Sequence, residues 1–211
     1  MRIVTAAAPP FHKNGYVVSC EITHEAVLID PGDEVGELLD LIRREKLATK
    51  AILLTHAHLD HVTGVAAAKA ALGVDVWLHE ADNFLYQGAV QQGLMFGIRV
   101  EPPPPVDRFY EPGVPFKFGE YIVDILHTPG HCPGGVCLAI GREGHQTREL
   151  FVGDTLFAGS IGRTDLPGGD HETLINSIRT VLFAFPDDAV VHSGHGPETT
   201  IGVEKKTNPF L

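Results

Sequence analysis

Cysteine is scarce in this chain, and basic charge is outnumbered. Cys20, Cys132 and Cys137 are odd in number and too few to staple 211 residues. A disulfide framework is thereby excluded, and a reducing, cytoplasmic setting is expected. Lys and Arg total 16 against 27 Asp and Glu, a formal charge of -11. A grip on a phosphate backbone needs clustered cations, so nucleic acid is not expected as a partner. No run approaches the roughly 20 apolar residues of a membrane span. The opening residues reach Pro9-Pro10 before any apolar stretch long enough for a signal peptide, so neither a membrane nor an export route is expected.

What is present is apolar side chain, 44% of the residues, enough to bury a core at this length and consistent with a single domain over residues 1–211. Apolar runs predict strands over 16–20 and 26–29, the second closing on the turn signal Asp30-Pro31-Gly32. Val35, Leu38, Leu39 and Ile42 then recur at i, i+3, i+4 and i+7, one apolar face of a helix. A strand over 51–54, a helix over 62–72 and a strand over 74–78 continue the alternation. Residues 83–113, broken by Gly88, Gly93, Gly97 and Pro102-Pro103-Pro104-Pro105, read as a long irregular surface loop. It is either a connector or a substrate-facing lid carrying Tyr86, Met95 and Phe96. The second half predicts strands over 116–118, 121–126, 136–140 and 149–152, with a polar turn over 141–147. A helix over 171–185, N-capped by Asp170, and a last strand over 189–192 complete the chain. Both halves mix strands and helices, which suggests two sheets between helical layers rather than one Rossmann-type sheet.

The chemistry concentrates after the apolar run 51–54. Thr55-His56-Ala57-His58-Leu59-Asp60-His61 packs three imidazoles and a carboxylate into six positions. Such a match arises by chance with a probability on the order of 10⁻³. His and carboxylate together are the donor set of zinc and of the harder first-row ions, whereas a thiolate site would need cysteines this segment lacks. A solvated, His-rich turn would not explain why the other strands also run into metal-capable residues. Apolar runs end within a few positions in Asp30, His131, Asp154 and His195. Metal-capable side chains on loops just after strands are held by a rigid scaffold yet lie at one edge, which suits a catalytic ion better than a buried structural one. Glycines in Pro129-Gly130-His131, Gly153-Asp154-Thr155 and Gly194-His195-Gly196-Pro197 permit close backbone approach around an ion.

These segments, in this order, resemble the metallo-β-lactamase-fold superfamily over essentially the whole chain. Within it the chain is most similar to short single-domain relatives of glyoxalase II, the hydroxyacylglutathione hydrolases. Residues 153–163, the segment Gly194-His195-Gly196-Pro197-Glu198-Thr199-Thr200 and the ending Asn208-Pro209-Phe210-Leu211 carry that likeness. The resemblance implies an α/β fold, a four-layer αβ/βα sandwich, and two divalent metal ions, zinc first, with iron or manganese as alternatives. It implies that His56, His58 and His131 hold one ion, that Asp60, His61 and His195 hold the other, and that Asp154 bridges them.

Two such cations share and acidify one water, so the implied reaction is attack of a bridging hydroxide, oriented by Asp60, on the carbonyl of a small-molecule thioester such as S-D-lactoylglutathione. Asp30 either supports a ligand imidazole or only opens its turn. Arg163 either reaches an anionic substrate or forms an internal ion pair. Cys132 is read first as a small packed residue, with redox sensitivity as the other reading. His12, His24, His79, His127, His145, His171 and His192 are read as structural or surface residues. Full-length glyoxalase II enzymes add a C-terminal helical region that helps bind glutathione, while only a short segment follows His195 here, so glutathione recognition stays open. The alternatives are a promiscuous lactonase, esterase or β-lactamase of the same fold, and a persulfide dioxygenase with one iron on two His and one Asp. The dioxygenases share Gly162-Arg163-Thr164-Asp165. The oligomeric state is not legible.

Overall fold

The structure, a computed structural model, describes residues 1–145 and 147–211. The chain divides into two compact units, Met1–Tyr110 with Phe118–Glu120, and Glu111–Lys117 with Tyr121–Leu211.

The first unit opens with an antiparallel meander of β1 (Arg2–Ala8), β2 (Lys13–Ser19) and β3 (Glu25–Ile29). Helix α1 (Val35–Glu45) buries Leu38, Leu39 and Ile42, as their spacing requires, and ends on Lys46 in the left-handed conformation. The chain returns through β4 (Ala48–Leu53), the short helix α2 (Leu59–Val62), α3 (Val65–Leu72) and β5 (Asp75–Leu78). Here β3, β4 and β5 pair in parallel, with Ile29 opposite Leu53 and Leu53 opposite Trp77. Ala51 to Leu54 are fully buried, the continuous apolar run of a strand covered on both faces. Because these strands run the same way, Asp30, the Thr55–His61 segment and the residues after Leu78 all leave the sheet at one edge. The helix expected over 62–72 begins instead as two pieces, because the Gly64 amide leaves the helical ladder and donates to the Pro31 carbonyl at 3.0 Å.

Residues 83–113 are not wholly irregular. They carry α4 (Asn83–Gln87) and α5 (Ala89–Met95) before the proline run, and then the two-residue strand β6 (Arg108–Phe109). The glycines that suggested a loop have a packing reason. A Cβ on Gly93 would lie 2.7 Å from Val100 Cγ2, so the helix needs glycine to let the returning segment touch it. Strand β7 (Phe116–Phe118) falls where the chain passes from one unit to the other.

The second unit is built on β8 (Tyr121–His127), β9 (Val136–Arg142), β10 (Glu149–Gly153) and β13 (Val190–Ser193). The β8–β9 and β9–β10 pairs are antiparallel and β10–β13 is parallel, so β8, β10 and β13 point the same way. The small hairpin of β11 (Leu156–Phe157) and β12 (Ser160–Ile161) follows β10, and β14 (Thr199–Thr200) and α7 (Ile201–Thr207) follow β13. The polar turn expected over 141–147 includes residue 146, outside the described residues. Helix α6 (His171–Thr180) is capped by Asp170, whose Oδ1 accepts from Thr173 N at 2.8 Å. It stops sooner than its apolar spacing suggested, giving way to a 3₁₀ turn over Leu182–Ala184. Leu174, Ile178 and Leu182 keep their stripe across that change and pack with Leu150, Val152, Val191 and Ile201. Among the described residues no helix is long and apolar enough to cross a membrane.

The loop carrying His131 is pinned to this core. Gly130 has φ +128, and a Cβ there would lie 2.2 Å from Leu174 N. Gly130→Ala is therefore expected to destabilise the protein by about 1–3 kcal/mol or more, read as a lower urea midpoint. A wild-type midpoint would show that the loop is not held against the helix.

Candidate metal centre

In the first unit one carboxylate organises two of the metal-capable imidazoles. Asp30 sits just past β3 with φ +47, a left-handed conformation that Asp tolerates better than most residues. Its Oδ1 accepts from Thr55 N at 2.7 Å, and its Oδ2 accepts from Thr55 Oγ1 at 2.6 Å and from His61 Nδ1 at 3.0 Å. An ionised carboxylate only accepts, so the His61 proton is on Nδ1. The Thr55 hydroxyl proton is committed to Asp30, so Thr55 Oγ1 accepts from His56 Nδ1 at 3.2 Å. Both rings are thereby held in the tautomer whose lone pair lies on Nε2, the form a metal ligand requires. The His56 and His61 ring centroids are 4.0 Å apart, and those of His56 and His58 are 5.0 Å apart. Asp30, His56 and His61 are almost fully buried, and each offers a ligand atom within 4.8 Å of the others. Asp60 Oδ2 lies 3.9 Å from His61 Nε2.

Two further groups hold this segment. The Ala57 amide donates to Asp82 Oδ2 at 3.1 Å, and Asp82 is fully buried. Asp82 escaped notice in the sequence, although it follows β5 as Asp30 follows β3, and the same strand-end rule would have found it. Tyr110 donates its hydroxyl to Leu54 O at 3.2 Å and stacks on Trp77. Burial, with the nearby charge of Asp30, pushes this phenol well above its ordinary range, so it stays protonated.

In the second unit Asp154 follows β10, His195 follows β13 and His131 follows β8. His131 Nδ1 donates to the Arg163 carbonyl at 2.7 Å, which again leaves Nε2 with the lone pair. That Nε2 lies 3.7 Å from Asp154 Oδ2, and His195 Nε2 lies 3.6 Å from the same oxygen. These separations are too long for hydrogen bonds. They fit donor atoms arranged around ions, since ligands about 2.0–2.1 Å from a tetrahedral centre lie roughly 3.4 Å from one another. Gly162 is required beside them, because a Cβ there would fall 1.8 Å from Asp154 O. Phe157 meets the His195 ring edge-on at 6.0 Å.

Several other residues have well-defined contacts. Arg163 brings its carbonyl to His131, while its guanidinium is exposed and paired with Asp165 through two 2.7 Å hydrogen bonds. That pairing holds the Asp165 carboxyl down to about 2. Cys132 is fully buried, and all three cysteines are thiols. His192 lies 2.8 Å from Glu149 and 3.1 Å from Glu198 and stacks on Phe151, a structural histidine rather than a ligand.

The family model of the metallo-beta-lactamase superfamily matches residues 8–195. The hydroxyacylglutathione hydrolase GloC of Haemophilus influenzae is 44% identical over 188 residues, covering 88% of this chain and 87% of that one. Among solved structures, the BLEG-1 B3 metallo-beta-lactamase superposes with a TM-score of 0.90 at 36% identity, over 100% of this chain and 99% of that one. TTHA1623 in a di-iron-bound form superposes with a TM-score of 0.85 at 42% identity, over 99% of this chain and 100% of that one. The chain therefore belongs to the metallo-beta-lactamase superfamily and has its α/β fold. It is a metallo-hydrolase of that superfamily, with His and Asp groups suited to divalent ions.

Thr55→Val keeps the shape of the residue but breaks the link between Asp30 and His56. Zinc affinity, measured by competition with a chromophoric chelator, is expected to fall about 10–100-fold, and retention of wild-type affinity would remove Thr55 from the centre.

Proposed function

We propose that this protein is a binuclear metal-dependent thioester hydrolase acting on small molecules such as S-D-lactoylglutathione in the cytoplasm. His56, His58 and His131 would hold one ion, Asp60, His61 and His195 the other, and Asp154 would bridge them. Zinc is the first choice and iron the second, the latter supported by the di-iron-bound form of TTHA1623. The thioester substrate is supported by the likeness to GloC.

The observation that carries this reading is the placement of two imidazole nitrogens at 3.7 and 3.6 Å from one carboxylate oxygen of Asp154. A carboxylate shared between two imidazoles suits a bridge. A mononuclear site of two His and one Asp would also leave His61 without a purpose, although its Nδ1 is fastened to Asp30.

When bound, two ions would supply an acidified water and positive charge to polarise the substrate carbonyl. The chain supplies orientation. Asp30 and Thr55 fix the His56 and His61 rings, the Arg163 carbonyl fixes His131, and Asp60 would accept a hydrogen bond from the attacking water. The water oxygen bonds to the carbonyl carbon, the C–S bond breaks, and the thiol departs with a proton. No side chain has to become covalently attached.

Elemental analysis together with two assays tests this. Two metal equivalents per chain, thiol release from S-D-lactoylglutathione and no oxygen uptake with glutathione persulfide are expected. One iron per chain with oxygen uptake would select the dioxygenase instead. Asp154→Ala is expected to lower metal content and thioesterase activity together, the latter by about 100-fold or more; full activity in that variant would remove the bridge.

A further inference from the structure

An ion pair buried behind the ligand loop has no part in the chemistry above. Lys13, the first residue of β2, is 2% exposed, and Glu34, in the turn before α1, is equally buried. Lys13 Nζ lies 2.7 Å from Glu34 Oε1 and also donates to the backbone carbonyl of Asp30. Glu34 Oε1 further accepts from the Gly32 amide at 2.8 Å. Pairing of Tyr16 with Ile29, continued past the strand ends, brings Lys13 opposite Gly32. The surrounding backbone is cut to fit. A Cβ on Gly15 would lie 2.0 Å from Glu34 Oε1, and one on Gly32 would lie 2.8 Å from Lys13 Cε and 2.3 Å from the Asp60 carbonyl.

As a stability device the pair is poor, because removing two charges from water offsets most of their attraction. What an apolar pair could not supply is a donor for the Asp30 carbonyl. Asp30 holds φ +47, a conformation unfavourable for any residue with a Cβ. That twist turns its carboxylate toward Thr55 and His61. We propose that the Lys13–Glu34 pair is a strap that holds the Asp30 turn in its left-handed form and so sets the His61 imidazole for metal. Lys13 and Glu34 are then positioning residues, not catalytic ones. The role in metal binding rests on the metal centre proposed above.

The test is the double variant Lys13→Met with Glu34→Gln, which removes both charges together and keeps an acceptor for the Gly32 amide. Long-range ¹H–¹⁵N spectra of the imidazoles are recorded on zinc-free protein, and zinc affinity is measured by chelator competition. The wild type is expected to show His61 fixed with its proton on Nδ1. The variant is expected to show mixed tautomers and about 10–100-fold weaker zinc binding. A Leu174→Ala variant, altered in the core of the other unit, controls for lost stability and is expected to keep the His61 signature. An unchanged His61 signature in the folded double variant, or an equal loss in Leu174→Ala, would overturn the strap. Should the double variant not fold, Glu34→Gln alone is read in the same way. It is expected to weaken zinc binding several-fold, and wild-type behaviour in it would overturn the proposal. If the wild type itself binds no zinc, the metal centre fails, while the His61 tautomer still decides the strap.

Discussion

The carboxylate of Asp30 is the contact on which the His56 and His61 rings of the first unit depend. It accepts from one amide, one hydroxyl and one imidazole, and through that hydroxyl it governs a second imidazole. Imidazole rings left to themselves exchange tautomers and rotate. Here two of them are fixed by one acidic residue that need not touch the ion. The arrangement coincides with an unusual backbone, because Asp30 is left-handed where its carboxylate faces both partners. The second unit reaches the same end more simply, with a backbone carbonyl from residue 163 fixing His131.

Strand direction explains why so few residues suffice. In the first unit β3, β4 and β5 run in parallel, and in the second β8, β10 and β13 share one direction. Each unit therefore gathers the residues that follow its strands at one sheet edge, where a packed scaffold holds short loops with little freedom. The loops are themselves tied down. The Gly64 amide donates to the Pro31 carbonyl, the Gly194 amide to the Gly153 carbonyl, and the Ala57 amide to the Asp82 carboxylate, so the backbone of each polar segment has a fixed acceptor.

Much of this was legible in the sequence. The cluster from His56 to His61 is dense enough to announce itself, and the recurrence of Asp or His after apolar runs pointed to Asp154, His131 and His195. The spacing of Leu38, Leu39 and Ile42, and of Leu174 and Ile178, yielded the helices and their buried faces. What was hidden depended on distant contacts. Gly93 reads as a loop breaker until Val100 is seen against it, and nothing local in the sequence marks Lys13 and Glu34 as buried. Arg163 drew attention for its guanidinium, yet it is its carbonyl that meets His131, a role no side-chain pattern encodes. The short elements β11, β12 and β14 carry too few residues to show a period.

The most direct measurement is the zinc affinity of folded Asp30→Asn, determined by chelator competition beside the wild type. The amide keeps the size of the side chain but replaces one acceptor oxygen with a donor, so it cannot serve Thr55 and His61 together. If Asp30 sets the ligand imidazoles, affinity falls about 10–100-fold while the urea midpoint shows the fold retained. Wild-type affinity in that variant would contradict the central claim.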